Sequence, residues 1–179
     1  MQTGGFQHNP FMRLTLLWTL LFAGGLWCTN AFMYFSRMGL TPTSVQAYYL
    51  GSEEEYSAPR SKESMLEVTH AHLPIMGVVI LMLTHLMIFA PYSDGFKKAF
   101  IAASFGSALL GEASSWLVRF VSPHFAWLKI AAFITFQACL AFLIAGLARF
   151  LLVRPSRRPL DDEEEDERPI RSRAPRARV

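Results

Sequence analysis

"VTHAHLPIMGVVILMLTHLMIF", residues 68–89, combines two features that conflict in energy. It is apolar enough for lipid, yet it holds His70, His72 and His85, three of the chain's five histidines. Residues 73–93 contain no Asp, Glu, Lys or Arg. Crossing the hydrocarbon core takes roughly 20 apolar residues in a helix, so the stretch reads as a membrane span. Ionisable groups inside a span are costly and usually have a function, so its histidines are the first candidates for a site.

Three further blocks repeat the pattern. Residues 14–35 and 130–148 carry no charge, and residues 99–118 carry Glu112 alone. Across the 179 residues, 52% are hydrophobic. The apolar residues come in blocks rather than at a helical or strand period. A soluble helical bundle would need a polar face on each helix, and these segments lack one. The expected fold is therefore all-α: a four-helix transmembrane bundle over residues 1–153, with helices at about 12–36, 65–90, 96–121 and 124–152. The first block is longer than the apolar core of a signal peptide, and Trp27 before Cys28 spoils a lipoprotein signal, so it is read as a retained span. Cys28 and Cys139 fall in different spans, and buried free thiols are expected rather than a disulfide.

Charge at the span ends sets the expected orientation. Arg13, Lys97, Lys98, Arg149, Arg154, Arg157 and Arg158 flank the spans on one side. The 36–68 connection is acidic, with Glu53, Glu54, Glu55, Glu63 and Glu67. Both termini are thus expected in the cytoplasm of a bacterial inner membrane, with an outer loop at 38–62. Within that loop "VQAYYL" suggests a short interfacial helix, since tyrosine favours that zone. Ser64 and Glu67 fit a capping box at the start of the second helix, and Pro74 inside it predicts a kink at His70. Trp127 and Lys129 read as interfacial anchors, and Asn30 as a residue bonded to a neighbouring helix. Ala103, Gly106, Ser107, Gly111 and Ser114 form a small-residue packing stripe on the third helix. Residues 154–179 hold "DDEEEDE" and then an arginine-rich stretch, the composition of a disordered cytoplasmic tail. Docking to a partner or to anionic lipid is the alternative use of that tail.

The topology gathers the polar residues at one end. His70 and His72 lie near the outer surface, about 200° apart on an ideal helix. His85 lies about 22 Å deeper. His124 falls in the outer turn between the third and fourth spans, and Glu112 and Arg119 in the outer half of the third. His8 precedes the first span. Imidazoles from two helices can ligate haem iron. His124 could pair with His70 or His72, with Arg37 or Arg119 on the propionates. A non-haem metal bound by His70, His72, His124 and Glu112 is a second possibility. A quinone pocket, with a histidine and a carboxylate exchanging protons, is a third. The bland alternative is that these residues only stitch the helices together.

The stretch "HAHLPIMG" resembles the H-x-H-x-x-x-x-G motif in the haem-bearing helix of nitric oxide reductases and the cbb3-type haem–copper oxidases. The resemblance implies axial-ligand roles for His70 and His72 and close packing at Gly77. Those catalytic subunits have many more spans, and the histidines that hold their non-haem metal have no counterpart here, so oxygen or nitric oxide reduction is not implied. Together with "SSWLVRFVSPHFAWL", the chain also looks like small bacterial four-span inner-membrane proteins. The functional expectation is a membrane subunit that binds haem b or transfers electrons in a respiratory assembly. A non-catalytic accessory or assembly role is the alternative, and quinone or metal binding a further one. The lipid bilayer and a larger complex or redox partner are the expected partners. Nucleic acid is not, because the tail's arginines are nearly neutralised by adjacent acids.

Overall fold

The structure, a computed structural model, describes residues 9–54 and 56–152. His8 and the charged tail at 154–179 lie outside the described residues. Among the described residues five α-helices follow one another: α1 Pro10–Phe35, α2 Pro42–Leu50, α3 Lys62–Met87, α4 Asp94–Phe120 and α5 Ala126–Leu152. A single 3-10 turn, Pro123–Phe125, links the last two. The long helices α1, α3 and α4, and α5 with its preceding turn, are each long and apolar enough to cross a membrane. The expected all-α bundle of four spans is what the chain forms, and "VQAYYL" lies in the short helix α2.

Local chemistry sets the helix starts. Asn9 caps α1, its side-chain oxygen accepting from the Phe11 and Met12 amides, with Pro10 in the first turn. Thr41 and Pro42 do the same for α2. Ser93 caps α4 through the Phe96 amide. For α3 the expected cap moves. Ser61, not Ser64, is the N-cap, and its Oγ accepts from the Ser64 amide at 3.2 Å. Ser61 offers the same hydroxyl one turn earlier, and Glu63 then sits in the first turn, where the helix dipole favours an acid. α3 runs through Pro74 as one continuous helix.

Two apolar cores hold the bundle. One centres on Ile80, Leu83 and Met87 of α3 with Leu143 and Leu147 of α5, joined by Leu20 and Ala23 of α1. The other lies at the α2 end and joins Tyr34, Met38, Val45, Tyr49, Met65, Val118, Ala126 and Ile130. α4 and α5 form the most extensive helix pair. Ser104, Ser107 and Ser114 of α4 are buried. Their hydroxyls return to carbonyls of their own helix, at 2.8, 3.2 and 2.9 Å respectively. This internal bonding makes a small polar side chain tolerable in an apolar contact. The glycines behave otherwise. A Cβ at Gly77, Gly106 or Gly111 would meet nothing within 4 Å, so the close approach expected at these positions is absent. Cys139 is buried, whereas Cys28 faces outward, and both are free.

α1 is fastened mainly to α5. Trp27 Nε1 donates to the Gln137 carbonyl at 3.0 Å. The Tyr34 ring stacks on Phe133 with centroids 3.6 Å apart. The connection 36–61 folds back over the bundle end. Val45 and Tyr49 of α2 are buried in the second core, and Tyr49 donates its hydroxyl to Ser115 Oγ at 2.9 Å. Gly51 ends α2 with φ 85° and ψ 166°, a region open to glycine almost alone. A Cβ there would also lie 2.5 Å from the Ser57 carbonyl oxygen.

Two predictions concern this lid of chain. Gly51→Ala should destabilise the folded protein by about 1–3 kcal/mol, read as a lowered midpoint in thermal unfolding in detergent; an unchanged midpoint would show that the turn is not needed. Burial raises the Tyr49 hydroxyl above its ordinary value. The group therefore stays protonated in the folded chain while it ionises in the unfolded chain above about pH 10. Its contribution is whole below that pH and is lost as pH rises beyond it. Wild type should lose more stability between pH 9 and pH 11 than Tyr49→Phe, with pH values chosen as about one unit either side of the free tyrosine value.

Candidate functional site

Between the two cores lies a cavity of about 140 Å³. α1 lends Asn30, Met33, Tyr34 and Arg37, and α3 lends Met65, Thr69, His72 and Met76. Gly111, Glu112 and Ser115 of α4 and Lys129, Phe133 and Phe136 of α5 line it further, with Tyr48, Tyr49 and Arg60 from the folded-back connection. The spacing on each helix explains the grouping. Thr69, His72 and Met76 are three and four residues apart, and so are Ala108, Gly111 and Ser115, with Glu112 beside Gly111. Residues at these intervals share a helix face.

The centre of the site is a paired imidazole and carboxylate. His72 Nδ1 lies 3.1 Å from Glu112 Oε1. With the carboxylate ionised, Nδ1 must be the donor, which leaves Nε2 for another partner. Thr69 Oγ1 donates to Glu112 Oε2 at 3.3 Å, and the Trp116 indole N–H donates to that same hydroxyl at 3.0 Å. The indole can only donate, so the hydroxyl proton is directed to the carboxylate. Both carboxylate oxygens are thereby fixed. The His72 side chain is 42% accessible against 13% for Glu112, so the imidazole is the member of the pair open to a visitor.

A lysine from α5 reaches the turn of α4 that carries Glu112. Lys129 Nζ donates to the Gly111 carbonyl at 2.8 Å and to Ser115 Oγ at 2.9 Å. It thus brackets Glu112 on the surface of α4. Ser115 receives Tyr49 as well, so the loop helix, α4 and α5 meet at one hydroxyl. Lys129 is the residue that reading by position misjudged: it points into the bundle instead of anchoring at the interface. The signal was present two residues away. Trp127 is 64% exposed, and residues two apart on a helix face about 200° from one another. Asn30 likewise lines the cavity wall.

The other predicted residues divide sharply. Glu112, His72 and Arg37 reach the cavity. His70 is exposed on the other side of α3, as its angular offset from His72 on an unbroken helix requires. His124 is exposed in the 3-10 turn. His85 is exposed near the opposite end of α3, edge-on to Phe89 with centroids 5.8 Å apart. Arg119 stands behind the cavity, its Nε donating to the Arg60 carbonyl at 2.9 Å and its guanidinium over the Phe120 ring. The expected convergence of His70, His72 and His124 is therefore corrected to one imidazole. Among the described residues no group of three His, Cys, Asp or Glu side chains comes together for a metal. Arg60, Tyr48, Thr69, Trp116 and Lys129 are the members that reading the sequence missed. Thr69 alone carried a usable signal beside Lys129, being three residues before His72 on the same face.

Comparison with known proteins agrees with this architecture at the level of the family. Neither the curated proteins nor the solved structures give a match. The likeness of His70–Gly77 to the haem-bearing helix of the oxidases thus rests on those residues alone. A family model described as a transmembrane helical domain matches residues 39–158. The matched segment covers more than half of the chain. It includes α2 to α5 and with them His72, Glu112, Lys129, Tyr49 and Arg60, whereas α1 and Arg37 precede it. The chain belongs to the Aq_1264_TM family of transmembrane helical domains.

Proposed function

We propose that this membrane protein holds the head group of a quinone or quinol in the cavity and exchanges a proton with it through His72, backed by Glu112. The observation that carries the reading is the His72–Glu112 pair at 3.1 Å, opening onto an otherwise mostly apolar cavity of about 140 Å³. A space of about 150 Å³ lined by apolar side chains takes one benzene-sized ring. Methionine and phenylalanine walls suit a flat ring, since thioethers and aromatic edges both make favourable ring contacts. The hydrocarbon tail of such a molecule belongs in the surrounding lipid.

His72 Nε2 would accept a hydrogen bond from a quinol hydroxyl. Taking that proton makes an imidazolium, which the fixed Glu112 carboxylate stabilises, and returning it restores the neutral ring. Lys129 of α5 is bonded to the turn of α4 that carries Glu112. These groups move protons only, and the electrons of any turnover would pass to or from a partner in a respiratory assembly. Haem b has weaker support, because a bis-imidazole site needs two histidines at the cavity and the space suits one ring, not four. The charge pattern at the span ends supports a bacterial inner membrane with both termini in the cytoplasm and this site toward the outer face.

The protein purified in mild detergent should retain quinone in a solvent extract. A short-chain quinone should raise its unfolding temperature. Glu112→Gln and His72→Ala should each weaken that binding by about tenfold or more, the scale of a lost hydrogen bond to a charged group. Quinone-free protein that shows no stabilisation, or binding untouched by both substitutions, would reject the proposal and leave an accessory role.

A further inference from the structure

We infer that the rim of the bundle formed by Arg37, Tyr48 and Arg60 binds the phosphate of an anionic phospholipid. This site is separate in chemistry from the His72–Glu112 pair and does not depend on the quinone reading. Two guanidinium groups meet on one tyrosine. Arg37 donates through a terminal guanidinium nitrogen to the Tyr48 hydroxyl at 3.0 Å, and the Arg60 guanidinium carbon lies 4.3 Å from the centre of the Tyr48 ring. Each guanidinium offers several N–H donors and no acceptor. Among the described residues neither arginine lies within ion-pair distance of a carboxylate. Two cations held on one phenol repel each other, and an anion placed between them removes that repulsion.

The arrangement is built rather than incidental. The Arg60 amide donates to the Tyr49 carbonyl at 3.1 Å, and its carbonyl receives Arg119 Nε at 2.9 Å. The Arg37 amide donates to the Tyr34 carbonyl at 3.1 Å. Both backbones are therefore pinned at one end of the bundle. Arg37 lies two residues beyond the end of α1 and Arg60 two residues before the start of α3, the level at which spans leave the hydrocarbon and lipid phosphates lie. A planar fork of donors matches phosphate oxygens better than a lysine would. Phe32 and Phe35 on α1 and Leu66 and Val68 on α3, near these arginines along the chain, are exposed and offer apolar surface to acyl chains. A membrane lipid therefore satisfies both the charge and the apolar surface, where a free anion satisfies only the charge.

The full chain in a neutral detergent tests this by thermal unfolding and native mass spectrometry with added lipid. Phosphatidylglycerol should raise the unfolding temperature and appear as a bound adduct, whereas phosphatidylcholine should do neither to the same extent. The pair R37Q/R60Q should weaken the phosphatidylglycerol effect by about tenfold or more, while K98Q at the other end of the bundle should leave it unchanged. Should R37Q/R60Q fail to fold, R37K/R60K keeps the charge without the fork and should bind more weakly than wild type. Equal responses to both lipids, or an undiminished response in the arginine variants, would overturn the inference. Stabilisation by inorganic phosphate as strong as that by phosphatidylglycerol would overturn the lipid assignment in favour of a free anion.

Discussion

A carboxylate inside a membrane span has to be surrounded before the span is tolerable. Glu112 lies well within α4, where a charged side chain costs about 2.5–3.5 kcal/mol on insertion scales. Its two oxygens are met by His72 and Thr69 of α3, and Lys129 of α5 lies bonded to the turn that carries it. Three helices thus converge because one acid needs them. The apolar cores above and below the polar layer bury aliphatic and aromatic surface. The layer between them sets which faces of α3, α4 and α5 meet, because a rotated helix would leave a charge in lipid.

The same constraint explains why the site is hollow rather than packed. Gly111 has nothing within 4 Å of where a Cβ would be, so the floor beside Glu112 stays open, and its carbonyl receives Lys129 together with the Ser114 and Ser115 hydroxyls. The small hydroxyl of Ser115 gathers Lys129 and Tyr49 without filling the space. Polar groups that bond one another sideways, along the wall, cannot also plug the centre. A cavity with polar groups fixed by one another and one imidazole nitrogen left over is an arrangement suited to a guest that brings a hydroxyl or carbonyl of its own.

α1 stands apart in this design. It precedes the family segment at 39–158 and holds on through α5, chiefly by an indole hydrogen bond and a stacked aromatic pair. Yet it supplies Asn30, Tyr34 and Arg37 to the cavity. The family domain therefore contributes the ionisable centre, and α1 closes one wall and adds one of the two rim arginines. The fold-back of α2 completes the other boundary, with Tyr48 shared between the rim cations and Tyr49 between the buried hydroxyls.

The four spans were legible in the sequence because length and apolarity are local quantities: any segment that must sit in lipid shows it residue by residue. The pairing of depth was legible too, since chain direction and rise per residue put Glu112 and His72 at similar levels. Direction around each helix axis was harder. Alternate placement on an unbroken helix separates His70 from His72, but only packing decides which of the two faces the bundle. The inward turn of Lys129 was hinted at by Trp127, yet the partners that make it tolerable, the Gly111 carbonyl and the Ser115 hydroxyl, belong to another helix. Arg60 and Tyr48 come together only when the connection folds back across the bundle end. Sequence alone thus determined what each segment must be surrounded by, lipid or water. Tertiary structure decided which polar groups see one another, because that depends on helix rotation and on a loop path that no local pattern encodes.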